Sequence, residues 1–205
     1  MPFNPRWTAI AAASGAIALC VTSCNLSKIV LGNTVHECNQ IIDVINEGVA
    51  RTSEIKEERQ KFLSGEKPED TAAAIELVNK ATGAMEKLVP VLDNFGQELE
   101  ALEIKDEQLV ELRNRYITNL QEFSQGMNKG KNGLREMEQL LAASQDVKPD
   151  EISPEETEKL REDLETAEDK IKIANRTFQS AGQEIDKIAA EINTYCDRKL
   201  PASTR

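Results

Sequence analysis

Apolar residues recur at three- and four-residue steps through four long stretches of this chain, and the gaps between the stretches hold helix-stopping residues. The clearest stretch starts at Ser153 and runs to about Lys199. Leu160, Leu164, Ala167, Ile171, Ala174, Phe178, Ala181, Ile185, Ile188, Ile192 and Tyr195 alternate three and four steps over five heptads. That spacing puts one narrow apolar seam on a helix, as packing along another helix requires. The start is equally well marked: Ser153 as N-cap, Pro154 in the first helical position and Glu156 closing a capping box.

Three further helices precede it. The first is expected from a cap at Thr34 to about Ser64, with Val35, Cys38, Ile42, Ile45 and Val49 on its apolar face and Gly32-Asn33 breaking the chain before it. Ser64-Gly65-Glu66-Lys67-Pro68 reads as stop and restart, Gly past one end and Pro opening the next helix. The second then runs from Pro68 to about Glu103 through Ile75, Val78, Thr82, Met85, Val89, Leu92, Leu99 and Leu102. Pro90 lies inside it, lacks an N–H and crowds the preceding turn, so a kink with Val89 outside helical geometry is expected. A vague turn over 104–106 leads to the third, carried by Leu109, Leu112, Tyr116, Leu120, Phe123, Met127, Leu134, Met137 and Leu141. Its centre, residues 126–133, holds three glycines, each costing up to about 1 kcal/mol against Ala. Either packing holds that centre helical, which is the expectation, or the helix breaks in two there.

Four amphipathic helices with short links predict an all-α fold: an up-down-up-down antiparallel four-helix bundle of long helices with coiled-coil-like packing, over residues 35–199 with a tail at 200–205. A long two-helix coiled coil that dimerises is the alternative. Composition agrees, since only 4% of residues are aromatic and Ala, Glu, Lys, Leu and Gln abound.

The first 24 residues have another character. Met1–Trp7 carries Arg6, and Thr8–Val21 is a run of Ala, Ile, Leu, Ser and Gly that falls short of the roughly 20 apolar residues a spanning helix needs. Val21-Thr22-Ser23-Cys24 then places a branched apolar residue and two small residues before a cysteine. This order resembles the lipobox of bacterial lipoproteins, with valine where the family favours leucine. Cys20 fits less well, because Leu19 would have to occupy the pocket for a small residue. The resemblance covers residues 1–24 only. It implies diacylglycerol transfer to the Cys24 thiol, removal of 1–23, and acylation of the new amine, leaving 24–34 as a lipidated tether. Two or three acyl chains make membrane attachment persistent where one does not. The resemblance also implies an extracytoplasmic address in the cell envelope. Asn25, where Asp would favour the inner membrane, points to the outer membrane if the source is Gram-negative.

Charge and cysteines narrow the function. The formal net charge is −11, and loss of Arg6 with the leader takes it to −12. Such acidity opposes binding to nucleic acid phosphates and to anionic lipid by the folded domain itself. Cys38 and Cys196 remain beyond the leader, and in an exported protein such a pair is usually bonded. One tension stands against the bridge. Reflecting the helices through their expected turns sets Cys38 level with a position near 183, about thirteen residues or 20 Å short of Cys196. A broken third helix or a bent C-terminus would be needed to close that gap. The same reflections set Gly48, Gly83 and Gly126 in one layer, either a close approach of helices or a small ligand cavity.

Catalytic constellations are missing from the sequence: it has no Gly-rich phosphate loop, no Gly-x-Ser-x-Gly and no Cys-x-x-Cys. His36 is the one histidine, which excludes the paired Glu-x-x-His of di-iron bundles and leaves no metal site to nominate. The chain therefore reads as non-enzymatic and without a cofactor. It is expected to be a bacterial lipoprotein, held to the membrane by lipid on Cys24, whose bundle is an interaction or assembly module for a protein partner. The second reading is a ligand-carrying or sensing bundle with its site at the Gly48/Gly83/Gly126 layer.

Overall fold

The computed structural model describes residues 32–63, 68–145 and 153–199, side chains at 32–33, 54–63 and 145 excepted. The leader, Cys24, the stretch up to residue 31 and the tail at 200–205 lie outside the described residues. Four helices make up the fold: α1 (Gly32–Leu63), α2 (Thr71–Glu100), α3 (Glu107–Gln145) and α4 (Pro154–Lys199). They form the expected antiparallel four-helix bundle, with α2 against α3 and α3 against α4 along their lengths, and α1 resting mainly on α2.

The seam of α4 is buried as its spacing predicts, from Ala167 through Ile171, Phe178, Ile185, Ile188 and Ile192 to Tyr195. Its start also matches: the Glu156 amide donates to Ser153 Oγ at 3.2 Å, and the Ser153 amide donates to Glu156 Oε2 at 2.9 Å. This reciprocal box satisfies two of the amides that a helix start leaves without partners.

Local physics moved two boundaries and kept one expected distortion helical. Gly32 and Asn33 are already helical in α1, so Thr34 does not cap it. Helix α2 begins at Thr71, three residues after Pro68, because Asp70 is the better cap: its carboxylate accepts from the Ala73 amide at 2.8 Å. Helix α2 also stays helical through Val89 and Pro90. Pro90 is exposed, so the carbonyl that loses its N–H partner faces the solvent side of the helix, and Val89 remains in the core at 8% exposure.

The glycine-rich centre of α3 is unbroken, and the structure shows why. A Cβ on Gly126 would sit 3.1 Å from the Phe178 backbone N, and one on Gly133 would sit 2.9 Å from Ile171 Cγ1. Gly130 faces the Ala174 methyl at 3.5 Å. These positions let α3 and α4 approach closely, and the dispersion and burial gained along that contact outweigh the glycine cost in helix propensity. At Gly182 the relation reverses: Phe123 of α3 comes within 3.5 Å of where a Cβ would be. Phe123 and Phe178 then meet edge-on with centroids 5.8 Å apart.

The layer of three glycines does not form. Gly48 of α1 receives the Phe95 ring, 2.7 Å from a would-be Cβ, while Gly126 faces α4 and Gly83 meets nothing within 4 Å. The cause is register. Gly48 is level with Phe95, so α1 and α2 pair about a point midway between these residues and later in the chain than the Ser64–Pro68 turn suggests. A contrast in stability follows. Gly83→Ala should gain about 0.5–1 kcal/mol, the helix propensity of alanine with open space to receive the methyl. Gly126→Ala has the same propensity gain but must push α4 away, and should come out at least about 1 kcal/mol less stable than Gly83→Ala. Urea unfolding midpoints at unchanged m-value measure both.

Candidate functional site

The densest polar cluster among the described residues closes one end of the bundle, where α1 starts, α4 finishes and α2 turns into α3. Asp106 is its centre. As N-cap of α3 its Oδ1 accepts from the Gln108 and Leu109 amides, both at 3.1 Å. The Tyr195 hydroxyl, from the last turns of α4, donates to the same carboxylate at 2.7–2.8 Å. The Asp106 amide in turn donates to Glu37 Oε2 of α1 at 3.0 Å. Glu37 is only 5% exposed, a depth at which a carboxylate requires such a partner. Beside this layer Cys38 and Cys196 are bonded, with Cα atoms 5.6 Å apart, joining the first and last helices across 158 residues.

The bridge closes without a broken α3 or a bent α4. The expected gap of about 20 Å disappears almost wholly at one turn. Gly48 lies level with Phe95, so α1 and α2 pair about residues 71–72 instead of 66, which moves Cys38 about eleven residues, or about 16 Å, toward the level of Cys196. Glu37 is level with Asp106, and Asp106 is level with Tyr195. Cys38 and Cys196 are 3% and 4% exposed, so the bond is part of the core.

Charges in the layer follow the geometry. Burial pushes the Asp106 carboxyl up, but the Tyr195 hydroxyl, the Leu109 and Gln108 amides and the charge of Lys199 outweigh it and hold the group below the ordinary aspartate value. Tyr195 moves the other way, raised by burial and by the carboxylate it donates to. The Lys199 ammonium sits 4.8 Å above the centre of the Tyr195 ring. Arg113 adds one more tie, donating to the Leu102 carbonyl at 2.7 Å and so holding the α2–α3 turn.

This cluster holds helices together. Its donors and acceptors satisfy one another. Along the flank, Arg115 of α3 reaches Glu191 at 2.7 Å and Glu184 at 3.4 Å on α4, and Arg51 of α1 reaches Glu98 of α2 at 2.8 Å. These half-exposed pairs each contribute little to stability and mainly favour one register. Among the described residues no three His, Cys, Asp or Glu side chains are grouped to hold a metal ion, and no helix is long and apolar enough to cross a membrane.

Of the residues singled out in the sequence, the structure unites Cys38 with Cys196 and keeps Gly48, Gly83 and Gly126 apart. Val21, Thr22, Ser23 and Cys24 lie outside the described residues. Sequence reasoning overlooked Asp106, Glu37 and the Tyr195 hydroxyl. Two signals were available: an Asp directly before an apolar-periodic run marks a cap, and a Tyr at a seam position needs a partner for its hydroxyl. Glu37 gave no signal, because its burial depends on where α3 starts. The chain matches no protein-family model, no curated protein and no solved structure.

The layer should be sensitive to acid. Asp106 has a folded pKa below its unfolded one, so it adds stability above the unfolded value of about 3.9 and loses it as pH falls through the folded value. Asp106→Asn keeps a capping oxygen but removes the charge. The stability difference between wild type and Asp106→Asn should be constant near neutral pH and shrink below about pH 4, as followed by urea unfolding across pH. A difference that stayed flat down to pH 2 would remove the carboxylate from this account.

Proposed function

We propose that the chain is a bacterial lipoprotein, held on the extracytoplasmic side of a membrane by lipid on Cys24, whose helical bundle is a non-enzymatic interaction or assembly module. The observation that carries the proposal is the buried Cys38–Cys196 bond, because such bonds form and persist in oxidising, extracytoplasmic compartments. It supports export independently of the leader-like residues 1–23. The lipobox-like Val21-Thr22-Ser23-Cys24 supplies the anchor, and Asn25 favours the outer membrane if the source is Gram-negative. The clamp and the flanking ion pairs use polar side chains for holding register, which suits a scaffold. The mechanism is positional. Confinement to a surface raises the local concentration of the bundle for a neighbouring protein without any new contact. With Gly48 filled by the Phe95 ring and Gly126 against the α4 backbone, the ligand-carrying alternative has no support at the layer where it was expected.

Mass spectrometry of the mature protein and fractionation of Cys24→Ser test this together. The mature wild type should begin at an acylated Cys24 and sediment with membranes, and Cys24→Ser should be unprocessed or released. A serine variant that is cleaved and still pellets wholly with membranes would end the proposal.

A further inference from the structure

We propose that the end of the bundle closed by Cys38–Cys196 is its membrane-facing mount, with the opposite end held away from the membrane. This rests on the reading that Cys24 is acylated. The acyl-bearing residue and Gly32, the first residue of α1, are separated by seven residues, which span at most about 25–30 Å by any path. Gly32 lies at the disulfide end, two turns before Cys38. Helix α2 alone, with 30 residues, extends about 45 Å, so Glu69 before its start and Lys105 after its end lie on opposite ends of the bundle.

A tether of that length allows two postures, upright on the disulfide end or lying on one flank. Charge selects the first. The mature chain carries −12, and the first third of α4, the part farthest from the bridge, exposes Glu155, Glu158, Glu162, Asp163, Glu165 and Asp169 against only Lys159 and Arg161. Laying the bundle down brings these like charges to an anionic leaflet, whereas standing on the disulfide end holds them away from it in water. The clamp fits this posture mechanically. Among the described residues α1 rests mainly on α2 and touches α4 little. A pull through the tether would load that one contact face. The bond at Cys38 passes the pull into α4, which packs along α3 and carries the core seam.

Trp7 is the only tryptophan and lies in the leader, so the mature chain has none to interfere with a single tryptophan reporter. Lys105→Trp and Glu69→Trp, both at exposed positions, would be purified in the mature lipidated form with the bridge intact. Each would be mixed with phosphatidylethanolamine–phosphatidylglycerol vesicles containing a headgroup-nitroxide lipid. The expected result is quenching at Lys105→Trp several-fold stronger than at Glu69→Trp, falling when a Gly/Ser segment is inserted after Leu31. Equal quenching at the two sites, or stronger quenching at Glu69→Trp, overturns the posture while the anchor stands. Lipidated wild type that fails to float with the vesicles overturns the Cys24 reading, and this inference with it.

Discussion

The structure depends on a covalent tie between the two ends of the chain. α1 and α4 are distant in sequence and share little direct packing, so the bridge and the Glu37–Asp106–Tyr195 link are what hold the start of α1 against the last helix. Closing a loop of 158 residues removes much of the freedom of the unfolded chain, nominally about 4–5 kcal/mol in the chain-entropy model. The tie is meaningful only if the two cysteines are level, and that is a statement about register through three successive turns. Asp106 enforces it from the middle. One residue caps α3, receives the hydroxyl of α4 and hands its amide to the buried carboxylate of α1.

The remainder of the core is shaped by where small residues fall. Gly126, Gly130 and Gly133 on α3 oppose Phe178, Ala174 and Ile171 on α4, so large and small alternate across the contact and the axes can come close. Gly48 receives Phe95 in the same way, and Phe95 then meets Tyr116 edge-on at 5.8 Å. The Phe95 and Phe123 rings thus sit where Gly48 and Gly182 make room. Propensity is sacrificed locally and recovered as packing, which is why glycines that look like breaks are contacts.

Periodicity made the four helices and the seam of α4 legible, because a heptad pattern over five repeats has no competing reading. Capping chemistry made Ser153 legible, and Asp70 could have been read the same way had Pro68 not been given priority. What the sequence did not reveal is register. A turn of several residues, such as 64–70, does not say where its two helices become level, and an error of five or six residues in its centre doubles to about eleven in register. That one turn produced both misjudgements: the glycine layer that does not exist and the gap at Cys38–Cys196 that does not exist either. Glu37 was hidden for the same reason, since a carboxylate on an otherwise apolar face looks solvated until the helix start beside it is placed. At Pro90 the expectation that failed is that for Val89, which stays helical. Proline on the solvent side of a helix leaves its orphaned carbonyl where water can reach it, so the helix runs on through it.

The surface constrains how such a bundle can recognise anything. Ile173, 59% exposed, is the single large hydrophobic residue in the open among the described residues. A stable docking face normally needs a buried apolar or aromatic centre, with charge supplying mainly steering and register. A partner that engages the described flanks would therefore meet charge and hydroxyl groups, and bind weakly and with strong salt dependence. Weak binding is sufficient when both partners are confined to one surface, because confinement replaces part of the affinity that contact would otherwise supply. On the anchored reading, the lipid at one end and the polar character of the bundle are two parts of the same solution: the first supplies proximity, and the second keeps the contact reversible.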